Sequence, residues 1–216
     1  MILELRDICS GYLEGVDVIR NIDLQLPEGS ATGILGLNGA GKTTLCQAIM
    51  NMNPYRSGVL CFERLNVSEL NTEQLSRLGI SMFLSGGNTF QELTVWENLL
   101  IATGGGSTKE IDGIRSIFPV LSGSQSALKS KLADKLSGGE RNQLAIAMCL
   151  LSNPKLLILD EPSAGLSPTA IKTTYKILEQ IRGERGVMIL LIEQSAELVR
   201  EFCSQIYVIE NGVIIK

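Results

Sequence analysis

The sequence predicts an α/β protein with a mostly parallel sheet, on three observations. Short apolar runs suited to buried strands alternate with helical patterns on both sides of a long helical stretch. One run, Ala31-Thr32-Gly33-Ile34-Leu35, leads into Gly36-Leu37-Asn38-Gly39-Ala40-Gly41-Lys42-Thr43, and a helical pattern follows over residues 43–50. Another, Leu156-Leu157-Ile158-Leu159, ends in Asp160-Glu161. A buried parallel strand delivers its last residues to the carboxyl edge of the sheet, where the glycine-rich loop also lies.

Taken in order, residues 2–8 alternate weakly, as an edge strand does, and Cys9-Ser10-Gly11-Tyr12 breaks the pattern. Val18-Ile19 and Ile22-Asp23-Leu24-Gln25-Leu26 continue as strand, and Pro27-Glu28-Gly29 is a turn. This opening predicts a small antiparallel sheet ahead of the loop. Residues 51–58 are turn-rich, Val59-Leu60-Cys61-Phe62 fits a strand, 72–78 a short helix and 80–84 a buried strand. From Thr94 to about Leu151 the pattern is helical, opened by the capping box Thr94-Val95-Trp96-Glu97. Residues 111–118 are apolar at helical spacing and stop at Pro119, and Gly104-Gly105-Gly106 and Ser122-Gly123-Ser124 are flexible joints. The alternation resumes with helix 140–151, strand 156–159, helix 169–182, strand 187–192, helix 196–202 and strand 206–209. Glu210-Asn211-Gly212-Val213 is a hairpin turn of the Asn-Gly type.

Composition narrows the function classes. A chain of 216 residues, 44% hydrophobic, can bury a full core as one domain or as a core with a subdomain. No apolar run approaches the roughly 20 residues that cross a bilayer, and the opening Met1-Ile2-Leu3-Glu4-Leu5-Arg6 lacks the pattern of a signal peptide. A net charge of −4 without a basic block argues against nucleic acid as a partner. The 5 cysteines, without C-x-x-C spacing, fit reduced thiols of a cytoplasmic protein rather than a zinc site. There is no histidine, so the commonest general base is missing.

The glycine-rich loop matches G-x-x-x-x-G-K-[ST] between a strand and a helix, the context that gives the pattern its meaning. Glycines 36, 39 and 41 are expected to take positive φ and bring backbone N–H groups close to phosphate oxygens. The helix N-terminus adds partial positive charge and Lys42 a full one, and the Thr43 hydroxyl can hold Mg²⁺. This is a nucleoside triphosphate site. Asp160 is then placed to orient Mg²⁺ and Glu161 to polarise the attacking water.

Leu136-Ser137-Gly138-Gly139-Glu140 opens the long helix with a second anion-binding start. Alone it reads as an ordinary N-cap. One triphosphate does not need two such starts far apart in the chain, so this one is expected to cap the γ-phosphate held by another subunit.

These segments, with the Ser163–Ser167 turn, resemble an ABC-type ATPase subunit over essentially the whole chain, and Leu-Ser-Gly-Gly is the most specific of them. Finer details resemble the ATPases of branched-chain amino-acid importers and their urea or amide relatives. They are Ser10-Gly11-Tyr12, Glu92-Leu93-Thr94-Val95-Trp96-Glu97-Asn98-Leu99, Glu161-Pro162-Ser163-Ala164-Gly165-Leu166-Ser167-Pro168 and Leu191-Ile192-Glu193-Gln194-Ser195. The resemblance implies a P-loop NTPase with a RecA-like core, an antiparallel β-subdomain and an inserted helical subdomain carrying the signature. On this chain, residues 1–90 and 152–216 would form core and β-subdomain, and 91–151 the helical insert.

By the same resemblance, Asn38, Gly39, Ala40, Gly41, Lys42, Thr43 and Thr44 hold ATP, Tyr12 stacks on adenine, and Ser137, Gly138 and Gly139 serve the partner's ATP. Lys42, Glu161 and Gln194 are the catalytic set, and Thr43, Asp160 and Ser85 face the metal. Gln194 stands where most members carry histidine; glutamine donates a hydrogen bond but does not shuttle a proton. Ser167 replaces an aspartate, as in the branch, and Ser85 replaces the branch's glutamate. The expected assembly is a head-to-tail pair of ATPase subunits, identical or sister, beneath a transmembrane permease. The subunit would be cytoplasmic and peripheral on the inner face of the membrane, without inserting into it. The alternatives are a regulatory nucleotide-binding module with weak hydrolysis, suggested by Ser85, and a non-transport ABC ATPase of repair or translation.

Overall fold

The computed structural model describes residues 2–105 and 108–215. The expected joint residue Gly106 lies outside them. In chain order the strands are β1 (Leu3–Gly11), β2 (Ile19–Leu26), β3 (Ala31–Leu35), β4 (Tyr55–Phe62), β5 (Leu65–Asn66), β6 (Ile80–Phe83), β7 (Leu156–Asp160), β8 (Met188–Glu193), β9 (Gln205–Glu210) and β10 (Val213–Ile214). The helices are α1 (Lys42–Ile49), α2 (Thr72–Arg77), α3 (Val95–Ala102), α4 (Thr108–Arg115), α5 (Gln125–Ser130), α6 (Gly138–Leu150), α7 (Pro168–Arg185) and α8 (Ala196–Phe202).

Two sheets result. One runs β2-β1-β4-β5 and is antiparallel; the other runs β10-β9-β3-β8-β7-β6 and is parallel except at β10. The period-2 alternation of the central strands feeds two apolar cores. On β7, Leu157 and Leu159 join the core shared with α3, α4, α6 and α7, whereas Leu156 and Ile158 join the core of α1, α2 and the antiparallel sheet. On β8, Ile189 and Leu191 face the first core, while Met188, Leu190 and Ile192 face the second.

Capping chemistry fixes the helix starts, at α3 as expected and at α2 as a finding of the structure. Thr94 and Glu97 form a reciprocal capping box at α3, and Asn71 with Gln74 does the same at α2. The Asn211-Gly212 turn joins β9 to β10 with both residues at positive φ, 49° and 80°. Gly212 is also a junction. Its N–H donates to the Ala40 carbonyl at 3.0 Å, and its carbonyl accepts from Arg20 N–H at 2.8 Å. It therefore ties the glycine-rich loop and β2 to the β9–β10 hairpin.

Three local expectations are corrected. β1 is a central strand, flanked by β2 and β4, and it runs on through Cys9-Ser10-Gly11 past an irregularity at Asp7 (φ 52°). β4 begins at Tyr55, within the segment read as turn-rich, because its residues pair with Gly11, Ser10 and Cys9 of β1. The helix expected over 111–118 stops at Arg115, and Pro119 opens a short 3₁₀ turn.

Candidate active site

The parallel register brings three strand ends together. Leu35 pairs with Glu193 and Asp160 with Ile192, so β3, β8 and β7 finish side by side. Backbone bonds fix the first residue beyond β3 and beyond β7. Gly36 N–H donates to the Glu193 carbonyl at 3.4 Å, and Glu161 N–H to the Ile192 carbonyl at 2.9 Å.

In the loop after β3, Gly39 and Gly41 take φ of 79° and 104°, the left-handed region that favours glycine. Gly36 does not share it, and that expectation is corrected. A Cβ there would lie 2.7 Å from both the carbonyl oxygen and Cγ2 of Ile209, so close approach of β9 is what requires glycine. α1 begins at Lys42 with no side-chain cap, leaving first-turn N–H groups without partners inside the helix. Asn38, Gly39, Gly41, Lys42, Thr43, Thr44, Tyr12, Val18 and Glu161 line a cavity of about 310 Å³ here. Ala40 is buried, its carbonyl accepts from Gly212 N–H at 3.0 Å, and it does not line this cavity.

The carboxylates meet the loop as expected. Thr43 Oγ1 donates to Asp160 Oδ2 at 2.8 Å. Asp160 is buried, and its Oδ1 has no hydrogen-bond partner. Burial pushes this carboxyl above the usual carboxylate range, with the Thr43 bond as the main opposing influence. Lys42 Nζ lies 3.0 Å from Glu161 Oε1 and also donates to the Leu37 carbonyl at 2.8 Å. Gln194 Nε2 donates to Glu161 Oε2 at 2.7 Å. Glu161 itself sits at φ 49°, a turn conformation uncommon for a non-glycine residue. Lys42, Thr43, Asp160, Glu161 and Gln194 are thus one connected group.

The remaining predicted residues fall around or away from that group. Tyr12 is half-exposed, and its hydroxyl lies 3.1 Å from both Thr44 Oγ1 and Gln47 Oε1. Ser137 forms a reciprocal capping box with Glu140, accepting from its N–H at 3.3 Å and donating its own N–H to Oε2 at 2.8 Å. Gly138 lines a second cleft of about 240 Å³ with Gly86, Gln91, Arg141, Asn142, Ala164, Gly165 and Leu166. Glu161 lines both cavities. Gly139 packs on α7, where a Cβ would meet that of Ala170 at 2.9 Å. Ser85 is exposed in the turn after β6 and lines neither cavity; its neighbour Gly86 lines the second.

Sequence reading missed several supporting residues. Asn142 of α6 is buried, donates to the Pro162 carbonyl at 2.8 Å and accepts from Thr174 Oγ1 at 3.3 Å. Glu193 is buried and accepts from Tyr175, Ser163 and Gln194. Its signal was available: a lone carboxylate closing the otherwise apolar run Met188–Glu193. Tyr175 and Asn142 carried no local signal, since their partners lie far away in sequence.

The donor set suits a hard divalent cation. A hydroxyl and a carboxylate converge at Thr43 and Asp160, and Asp160 Oδ1 is left without a partner. Among the described residues no group of three or more His, Cys, Asp or Glu makes a metal site by itself. A cation held by Thr43 and Asp160 would need further ligands from outside these side chains.

A glycine loop at a helix start, facing a strand-end Asp-Glu pair, defines a P-loop nucleotide-hydrolysing α/β protein. The ABC transporter family matches residues 19–164, more than half of the chain, and the chain belongs to that family as one of its ATP-hydrolysing cassettes. It is 34% identical to the high-affinity branched-chain amino acid transport ATP-binding protein BraG of Pseudomonas aeruginosa, over 97% of this chain and 89% of that one. It is 29% identical to the methionine import ATP-binding protein MetN of Cupriavidus necator, over 93% of this chain and 59% of that one. The dimeric post-hydrolysis structure of the ATP-binding cassette MJ0796, bound to ADP and Pi, shares the fold. Its TM-score is 0.84 at 20% identity, covering 100% of this chain and 97% of that one.

Proposed function

We propose that this chain is the ATP-hydrolysing motor subunit of an importer for branched-chain amino acids or related small polar solutes. The observation that carries the hydrolytic part is the convergence of Lys42 and Gln194 on the two oxygens of Glu161, beside Thr43 and Asp160. Lys42 and the first-turn N–H groups of α1 bind the β- and γ-phosphates, and Tyr12 flanks the base. Glu161 accepts the proton of the attacking water, and Gln194 orients its carboxylate. Thr43 and Asp160 hold Mg²⁺, which when bound neutralises phosphate charge. Ser85, exposed in its turn, reaches the metal at most through water.

The solute class rests on the likeness to the branched-chain amino acid protein, with methionine import as the competing choice. The division into a helical insert at 91–151 and a core made of the rest is part of this reading. Gly138 does not line the cavity at the loop, and its cleft shares only Glu161 with that cavity, which supports a second ATPase subunit that presents its own signature to this loop. Among the described residues no helix is long and apolar enough to cross a membrane. Peripheral docking on the cytoplasmic side of a permease belongs to the same reading and rests on the likeness to the two import proteins.

Equilibrium titration with a fluorescent ATP analogue tests the site. Lys42→Ala loses about 2–3 kcal/mol of binding, the range for a charged contact; unchanged affinity rules out the phosphate-loop role. Uptake of labelled leucine and of methionine by cells lacking the chain tests the solute. Loss of leucine uptake alone supports the reading, and loss of methionine uptake alone replaces it.

A further inference from the structure

Glu193 is 2% exposed, at the end of a strand whose other residues are all apolar. Burying a carboxylate is costly unless donors surround it. Among the described residues no Lys or Arg forms an ion pair with it, and neutral donors surround it instead. Oε1 accepts from Ser163 N–H and from the Tyr175 hydroxyl, both at 3.1 Å, and Oε2 accepts from Gln194 N–H at 3.2 Å. Each donor belongs to a different segment. Ser163 lies just after Glu161 in the catalytic turn, Gln194 carries the amide that reaches Glu161, and Tyr175 lies on α7. The Tyr175 ring is itself fixed edge-on against Phe202, with centroids 5.5 Å apart and planes at 87°.

The two arms close a ring. From Glu161 the chain runs through Pro162 to Ser163, across to the Glu193 carboxylate, on to Gln194 and back through Nε2 to Glu161 Oε2 at 2.7 Å. Both backbone N–H groups end on this one carboxyl, so a single side chain ties the two segments together. We infer that Glu193 is a positioning residue for hydrolysis: held by Tyr175, it locks the Glu161 turn and the Gln194 backbone in one geometry, and acts through the Gln194–Glu161 contact. The inference rests on the roles proposed above for Glu161 and Gln194.

The test is a double-mutant cycle on the full chain, with steady-state ATPase rates over a range of Mg-ATP concentrations. Tyr175→Phe keeps the ring and removes only the hydroxyl. It lowers kcat about five- to tenfold, with KM for ATP within about twofold, because the hydroxyl orients the base rather than the nucleotide. In the Gln194→Ala background the same change has no further effect. Glu193→Gln, run through the same cycle, gives the same pattern and covers the case in which Tyr175→Phe does not fold. A wild-type kcat for folded Tyr175→Phe overturns the inference, as does a raised KM at unchanged kcat, or slowing that multiplies in the double variant. Gln194→Ala separates the two levels. If it leaves kcat unchanged, the role of Gln194 falls and this inference with it; if it slows turnover while the Tyr175→Phe effect multiplies, only this inference falls.

Discussion

Lys42 and Glu161 form an ion pair at 3.0 Å in which the ammonium is almost wholly buried, 4% exposed, and the carboxylate partly so, at 17%. The group proposed to bind phosphate and the group proposed to polarise water are therefore electrostatic partners. On that reading an arriving phosphate would compete with Glu161 for the lysine, while Gln194 keeps its own bond to the carboxylate.

Glu161→Gln should therefore do two things at once. Turnover falls by at least about 100-fold, the usual scale for losing a general base. ATP affinity rises, because Lys42 no longer shares its charge with a carboxylate. Single-turnover hydrolysis and equilibrium titration on the same preparation check both, and light scattering in Mg-ATP should reveal accumulated dimer. Wild-type turnover would remove Glu161 from its role.

Ser137→Arg places a long cation at the start of α6, distant in the chain from Lys42. Nucleotide binding to the isolated chain stays within about twofold, since the loop is untouched, while turnover is lost. Mixing with Lys42→Ala subunits leaves at most one intact site per pair. A fully active Ser137→Arg protein would exclude the head-to-tail arrangement.

Gly139→Ala tests the close approach of α6 to α7. With Cβ atoms only 2.9 Å apart, the helices must separate, at a cost of about 1–3 kcal/mol. Adding Ala170→Gly restores the space and most of the stability. Urea midpoints of the single and double variants measure this directly.

The cap of α6 should respond to acid. Lys131 and the Ser137 N–H hold the Glu140 carboxyl below its ordinary value of 4.5, so the ionised form favours the fold. The contribution is present above the ordinary value and is lost as pH falls through the lowered one. With the side chain 36% exposed, screening limits it to about 0.5 kcal/mol. Wild type should therefore exceed Glu140→Gln in urea midpoint at pH 7, and the gap should narrow below pH 4.5.

What could be read in the sequence was what is encoded locally. The capping box at Thr94 needs only residues three apart, Ser137 is an N-cap by residue type, and the phosphate loop is a contiguous motif flanked by its own strand and helix. Asp160-Glu161 was placed by the rule that parallel strands end at one edge. What escaped depends on distant partners. β1 became a central strand because β4, from far along the chain, covers its other side. Gly36 is glycine on account of Ile209, and Gly139 on account of Ala170. Glu193 was visible as an isolated carboxylate, but its meaning required Tyr175 and Ser163 to be brought to it.

The junction at Gly212 bears on how the protein is made. The phosphate loop comes far earlier in the chain, yet the Ala40 carbonyl is pinned by an N–H from the β9–β10 hairpin, and Arg20 is fastened to the same residue. On the ribosome the loop segment emerges long before its fastening does. The nascent chain must hold an unfinished nucleotide pocket until the Asn211-Gly212 turn has been made. A message cut short before that turn encodes the glycine-rich loop and the Asp160-Glu161 pair without the bond that pins the Ala40 carbonyl.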